Sequence, residues 1–115
     1  MSYRLPTGFA GRSFLVTRHP GAMEWARRRG IAWDAHLSHV NPECLAPGDR
    51  VIGNLPVHLA ALVCARGAQY WHLAVDVVPD FRGRELQFDD LERMNARLEA
   101  YEVKALSGHV ETSGS

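Results

Sequence analysis

Short apolar runs alternate along this chain with amphipathic stretches, at the two periods that separate strands from helices. Residues 13–17, Ser-Phe-Leu-Val-Thr, are rich in strand formers and predict a first strand. Pro20 then sits where a helix favours its first residue, and residues 22–29 continue as a helix closed by Gly30. Alternation over 31–37 predicts a second strand, and Pro42, Pro47 and Gly48 make 41–49 a loop. Residues 50–53 form a brief third strand. Asn54-Leu55-Pro56 then repeats the earlier device of a strand, a polar turn and a proline opening a helix. That helix, 57–65, is expected to place Leu59, Leu62 and Val63 on one face and to end before Gly67. A fourth strand over 69–77 has Trp71, Leu73, Val75 and Val77 on one face, with Tyr70, His72, Ala74 and Asp76 on the other. After a loop with Pro79 and Gly83, Leu91, Met94, Leu98 and Tyr101 predict a last helix over 89–101.

Strands alternating with helices of about ten residues mean βαβ units, hence a mostly parallel sheet covered on both faces. The expectation is an α/β fold, a minimal Rossmann-like three-layer domain on a mostly parallel four-stranded sheet. It spans 1–106 as a single domain, with 107–115 a flexible tail of small polar residues. A chain of 115 residues, 46% hydrophobic and 23% charged, holds one core and is neither disordered nor fibrous.

Thirteen basic and thirteen acidic side chains cancel, which argues against coating DNA or an acidic membrane through bulk charge. A small anion gripped by a few placed arginines is compatible with that balance, and twelve of the thirteen cations are arginine. Cys44 and Cys64 make no disulfide framework, and no apolar run approaches a membrane span. The N-terminal residues lack an apolar leader segment. A cytoplasmic protein with reduced thiols is expected.

Open α/β sheets bind ligands at the carboxyl ends of their strands, near the point where strand order reverses. That rule selects three segments. Thr17-Arg18-His19-Pro20-Gly21 brings a hydroxyl, a guanidinium and an imidazole to a helix N-terminus, which suits phosphate. The plainer alternative is that Thr17 caps the helix, Arg18 is solvated and His19 fills a turn. Asn54-Leu55-Pro56-Val57-His58 offers a second helix start with an amide and an imidazole, although Asn54 as a simple cap needs no function. The third segment, Asp76 to Glu85 after the fourth strand, includes Arg82-Gly83-Arg84-Glu85, whose two cations would suit a lid, or an exposed loop with a solvated ion pair.

Asp34, His36 and His39 are the only grouping that suggests a metal, but 36 and 39 point to opposite faces of a strand, so neither metal nor other cofactor is expected. Dinucleotide, P-loop and nucleophile-elbow motifs are absent. Cys64, Trp25 and Trp33 read as packing residues.

Longer blocks carry a resemblance. Phe14-Leu15-Val16-Thr17-Arg18-His19-Pro20-Gly21-Ala22-Met23-Glu24-Trp25 resembles the opening strand and helix of a small CRISPR-associated accessory family linked to type III systems. Gly48-Asp49-Arg50-Val51-Ile52-Gly53-Asn54-Leu55-Pro56-Val57-His58-Leu59-Ala60-Ala61 is similar to its middle, and Tyr70-Trp71-His72-Leu73 and Arg82-Gly83-Arg84-Glu85-Leu86 to its later blocks. The likeness covers about residues 13–103. That family often has Ser where Thr17 stands and Thr where Asn54 stands, and neither change removes a hydrogen-bonding side chain.

The resemblance implies a CARF-like (CRISPR-associated Rossmann fold) domain that binds cyclic oligoadenylate, with cyclic tetra-adenylate the expected partner. It also implies a ring nuclease, a metal-independent phosphodiesterase that ends type III signalling. A homodimer would match the near two-fold symmetry of the ring. His19, Arg18 and Thr17 are the expected catalytic residues, and Pro20, Gly21, Asn54, Leu55, Pro56, His58, Arg82 and Arg84 the expected ligand contacts. The competing expectations are a non-catalytic binder of the same messenger, acting as sponge or sensor, and a structural accessory subunit.

Overall fold

The structure is a computed structural model that describes residues 11–76 and 87–106. Its elements run β1 (Ser13–Val16), α1 (Pro20–Arg28), β2 (Ala35–Leu37), a single 3-10 turn (Pro42–Cys44), β3 (Arg50–Gly53), α2 (Val57–Ala65), β4 (Gln69–Ala74), α3 (Phe88–Arg93) and β5 (Arg97–Tyr101). The five strands form one sheet in the order β2-β1-β3-β4-β5, parallel except for β5, which runs antiparallel to β4. The fold is therefore α/β with a mostly parallel sheet, but of five strands rather than four. None of the described helices is long and apolar enough to cross a membrane.

The pleat divides the core. Leu15 and Ile52, with Trp71, Leu73 and Leu98, pack against α1 and α3 through Ala22, Trp25, Ala26, Leu91 and Met94. Val16, Val51 and Tyr70 pack on the opposite face against Ala60 and Val63 of α2 and against Leu45. Trp25 is buried and Trp33 packs against the first cluster, as expected of packing residues. Cys64 is half-buried rather than in the core, and its sulfur accepts the Val103 N–H at 3.4 Å.

The fifth strand corrects the expected last helix. α3 stops at Arg93, Asn95 takes φ of 56°, and the chain reverses into β5. Asn95 N–H donates to Glu92 O and Ala96 N–H to Leu91 O, the paired bonds that close a helix on a left-handed residue. Gly30 and Gly67 close α1 and α2 with the same pair, Ile31 to Ala26 O and Ala68 to Val63 O being the bonds that span more residues. Leu91, Met94 and Leu98 all enter one core cluster, but Leu98 does so from a strand paired with Leu73. A burial pattern alone does not separate the two geometries.

Two smaller corrections follow. β2 begins at Ala35, because Ile31 belongs to the α1 closure and Asp34 serves the start of β1, its Oδ2 accepting Ser13 N–H at 2.7 Å. On α2 the buried residues are Ala60 and Val63, while Leu62 is 50% exposed. The helix is apolar all round, so its sequence does not say which side meets the sheet. Residues 77–86 and 107–115, including Val77, Pro79, Arg82, Gly83 and Arg84, lie outside the described residues, as does the expected tail.

Candidate ligand site at the switch point

The order β2-β1-β3-β4 places the reversal between β1 and β3. From β1 the chain crosses through α1 to β2, then returns to β3 on the other side of β1. α1 and α2 cover opposite faces of the sheet, so the segments leaving β1 and β3 diverge and open a crevice. A cavity of about 560 Å³ occupies it.

Its wall carries Thr17, Arg18 and His19 after β1, Asn54, Leu55 and Pro56 after β3, and Ser38 and His39 after β2. Its floor is apolar, built from Leu15, Ala22, Trp25, Ile52, Leu73 and Leu98. An apolar floor under a few convergent polar groups is the usual composition of a small-molecule site. Gly53 allows this narrow junction: a Cβ there would stand 2.4 Å from Val16 O.

The first loop is held from both sides. Thr17 Oγ1 accepts the His19 N–H at 3.1 Å, so the hydroxyl does not cap α1, and its own proton is available to a ligand. His36 Nε2 lies 2.8 Å from Thr17 O, which makes Nε2–H a donor there and takes that nitrogen away from metal binding. With Asp34 engaged at Ser13, the suggested metal grouping is dispersed. Among the described residues no three metal-ligating side chains come together.

Arg18 and His19 are both exposed at the cavity rim, and their side chains meet no hydrogen-bonding or charged partner among the described residues. Pro20 stands at the first helical position of α1, as expected, and has no N–H. Ala22 and Met23 already donate to His19 O. The backbone donor left at this helix start is Gly21, so an anion at this loop would meet the Arg18 guanidinium more than the helix. Neither Pro20 nor Gly21 lines the cavity.

The second loop is also braced. Asn54 is not the α2 cap, a place taken by Pro56; its Nδ2 donates to Leu73 O at 3.0 Å. Leu55 N–H donates to the Tyr70 hydroxyl at 2.8 Å. His58 departs from expectation. It is exposed on α2 and faces a separate groove with Leu62, Val103 and Lys104 instead of the cavity. Reasoning from the chain alone passed over Ser38 and His39 as ligand contacts, because only the β1–β2 pairing brings them beside the first loop. Arg82 and Arg84 lie outside the described residues.

Residues 14–104 match the model of a family described as "Putative CRISPR-associated protein (Cas_VVA1548)". The chain belongs to this family. No curated protein and no solved structure matches it. The match supports, over residues 14–104, the CRISPR association implied by the long sequence blocks.

Proposed function

We propose that this CRISPR-associated protein is a ring nuclease that binds cyclic tetra-adenylate and opens it without a metal. The observation that carries the reading is the meeting of Thr17, Arg18 and His19 with Asn54, Leu55 and Pro56 around one apolar-floored cavity at the switch point. Adenine faces suit the apolar floor, and phosphates suit the rim where Arg18 stands.

The chemistry follows from the ribose. Its 2′-oxygen forms a bond to the adjacent phosphorus while the bond from phosphorus to the 5′-oxygen breaks, leaving a 2′,3′-cyclic phosphate. A proton leaves the 2′-OH and one reaches the departing 5′-oxygen. His19 moves a proton at one of those oxygens. Arg18 neutralises charge on the phosphorane, and Thr17 donates its hydroxyl proton to a phosphate oxygen. Holding the 2′-oxygen in line with the scissile bond supplies much of the acceleration.

At about 560 Å³, one cavity holds only part of a ring of four nucleotides. Two copies around a two-fold axis, which we propose as the working form, present two such sites to a ligand of matching symmetry. The test is incubation of the protein with cyclic tetra-adenylate in EDTA, followed by chromatography and light scattering. Linear product ending in a cyclic phosphate, from a species twice 12.8 kDa, is expected. Intact ring retained on the protein would replace the enzyme with a binder, and neither retention nor cleavage would leave a structural accessory subunit.

A further inference from the structure

Beneath the 53–56 turn, on the α2 face of the sheet, lies a polar relay that the ring chemistry does not use. Tyr70 is 3% exposed in an otherwise apolar cluster, yet its hydroxyl is fully engaged. It accepts Leu55 N–H at 2.8 Å, stands 2.7 Å from His72 Nδ1 and lies 3.3 Å from Gly53 O. A phenol has one proton to give. While His72 is neutral with Nδ1 bare, that proton goes to Nδ1, the nearer acceptor. A protonated His72 instead donates from Nδ1 into the phenol oxygen. Tyr70 then receives two donors and turns its own proton to the more distant Gly53 O. Gly53 and Leu55 flank the cavity residue Asn54, so both states act on the same stretch of wall.

The surroundings of His72 are specific. Its ring meets Tyr101 edge-on at 5.7 Å, and Glu99 stands opposite it in the β4–β5 register. Glu99 Oε1 accepts the Tyr101 hydroxyl at 2.6 Å. Tyr70 is the titratable neighbour on β4, Glu99 and Tyr101 are those on β5, and Cys64 approaches Tyr70 from α2. Burial pushes the imidazole below its ordinary value of 6.5, and Glu99 only partly opposes this. Burial raises the Tyr70 phenol, which therefore stays protonated throughout the range in which His72 titrates.

We propose that Tyr70 and His72 are positioning residues whose hydrogen-bond relay ties the 53–56 turn through Leu55 alone while His72 is neutral and through both Leu55 and Gly53 when His72 is protonated. This deepens the ring-nuclease reading and rests on it only for the consequence that the grip on cyclic tetra-adenylate strengthens with acid.

The test has two arms. In the free protein, nitrogen-proton NMR from pH 5 to 8 follows the Leu55 amide. Its shift should track the His72 ring in the wild type, lose that dependence in Tyr70→Phe, and stay flat in His72→Asn, whose Oδ1 accepts near the Nδ1 position without titrating. In the second arm, cyclic tetra-adenylate affinity is measured across the same range. The wild type should gain about five- to ten-fold relative to His72→Asn between pH 8 and 5, the effect of about one hydrogen bond. A Leu55 shift indifferent to His72 overturns the relay. A tracking shift with an unchanged affinity ratio overturns its role in the site. A wild type that does not bind the ring removes the ring-nuclease reading, and the relay is then judged on the Leu55 titration alone.

Discussion

The two ends of the sheet handle polar groups in opposite ways. At the amino end, Asp49 is 2% exposed and each of its oxygens is occupied. Oδ1 accepts the Arg12 N–H at 3.0 Å, while Oδ2 accepts the Arg12 guanidinium at 2.8 Å and the Ala46 N–H at 2.9 Å. Burial works against this carboxylate, but the Arg12 guanidinium and the two backbone donors outweigh it and hold the carboxyl below its ordinary value. At the carboxyl end, Arg18 and His19 turn away from the protein's own acceptors, and only the backbone of their loop is tied down. A saturated cluster stabilises a fold. A braced loop carrying unsatisfied side chains over an apolar floor is arranged for something that arrives from outside.

The sharpest way to break this contrast is at His19. His19→Ala should leave the melting temperature and ring affinity nearly unchanged while lowering single-turnover cleavage by roughly 10²–10⁴-fold, the range of a positioned acid or base. Wild-type cleavage in that variant would remove His19 from the chemistry and bring forward His39, which shares the cavity wall.

Asp49→Ala should do the reverse. Losing a buried acceptor that serves two part-buried backbone donors and the Arg12 guanidinium should cost about 1–3 kcal/mol in denaturant unfolding, with the cleavage rate per folded molecule unchanged. Because the Asp49 carboxyl is depressed in the folded state, its contribution is present above the ordinary value of 3.8 and lost as pH falls below it. Wild type and variant should therefore converge in stability under acid. A cleavage defect in the folded variant would show that the two ends are not separable.

Arg18→Ala sharpens the comparison with a smaller effect. Affinity and cleavage should both fall about ten-fold, since a charge on the rim acts on ground state and transition state alike, and added salt should shrink the difference. Unfolding should not respond, because Arg18 bonds to nothing in the described fold.

Much of this was legible along the chain, and the failures at β5 and at His58 have separate causes. Gly30 and Gly67 announced the ends of α1 and α2, since glycine is the common residue in the left-handed closing position. Asn95 performs the same act for α3, but an asparagine inside an apolar pattern of helical spacing carries a weaker signal, and β5 was read as more helix. Thr17, Arg18, His19 and the 54–56 turn were found by position, because they follow strands at places where helices begin. His58 misled for the same reason. It follows the right strand, yet α2 turns it to the other side of the molecule.

The sequence by itself determined where strands and helices alternate, which loops follow strand ends, and which groups those loops hold, because each depends on neighbours a few residues apart. The tertiary structure alone decided that β1 and β3 are adjacent, that Ser38 and His39 stand beside Arg18, and that Tyr70 reaches Leu55. Those contacts depend on strand order and on which face of each helix meets the sheet. A helix as uniformly apolar as α2 leaves its orientation open until the sheet selects the small side chain of Ala60 for close packing.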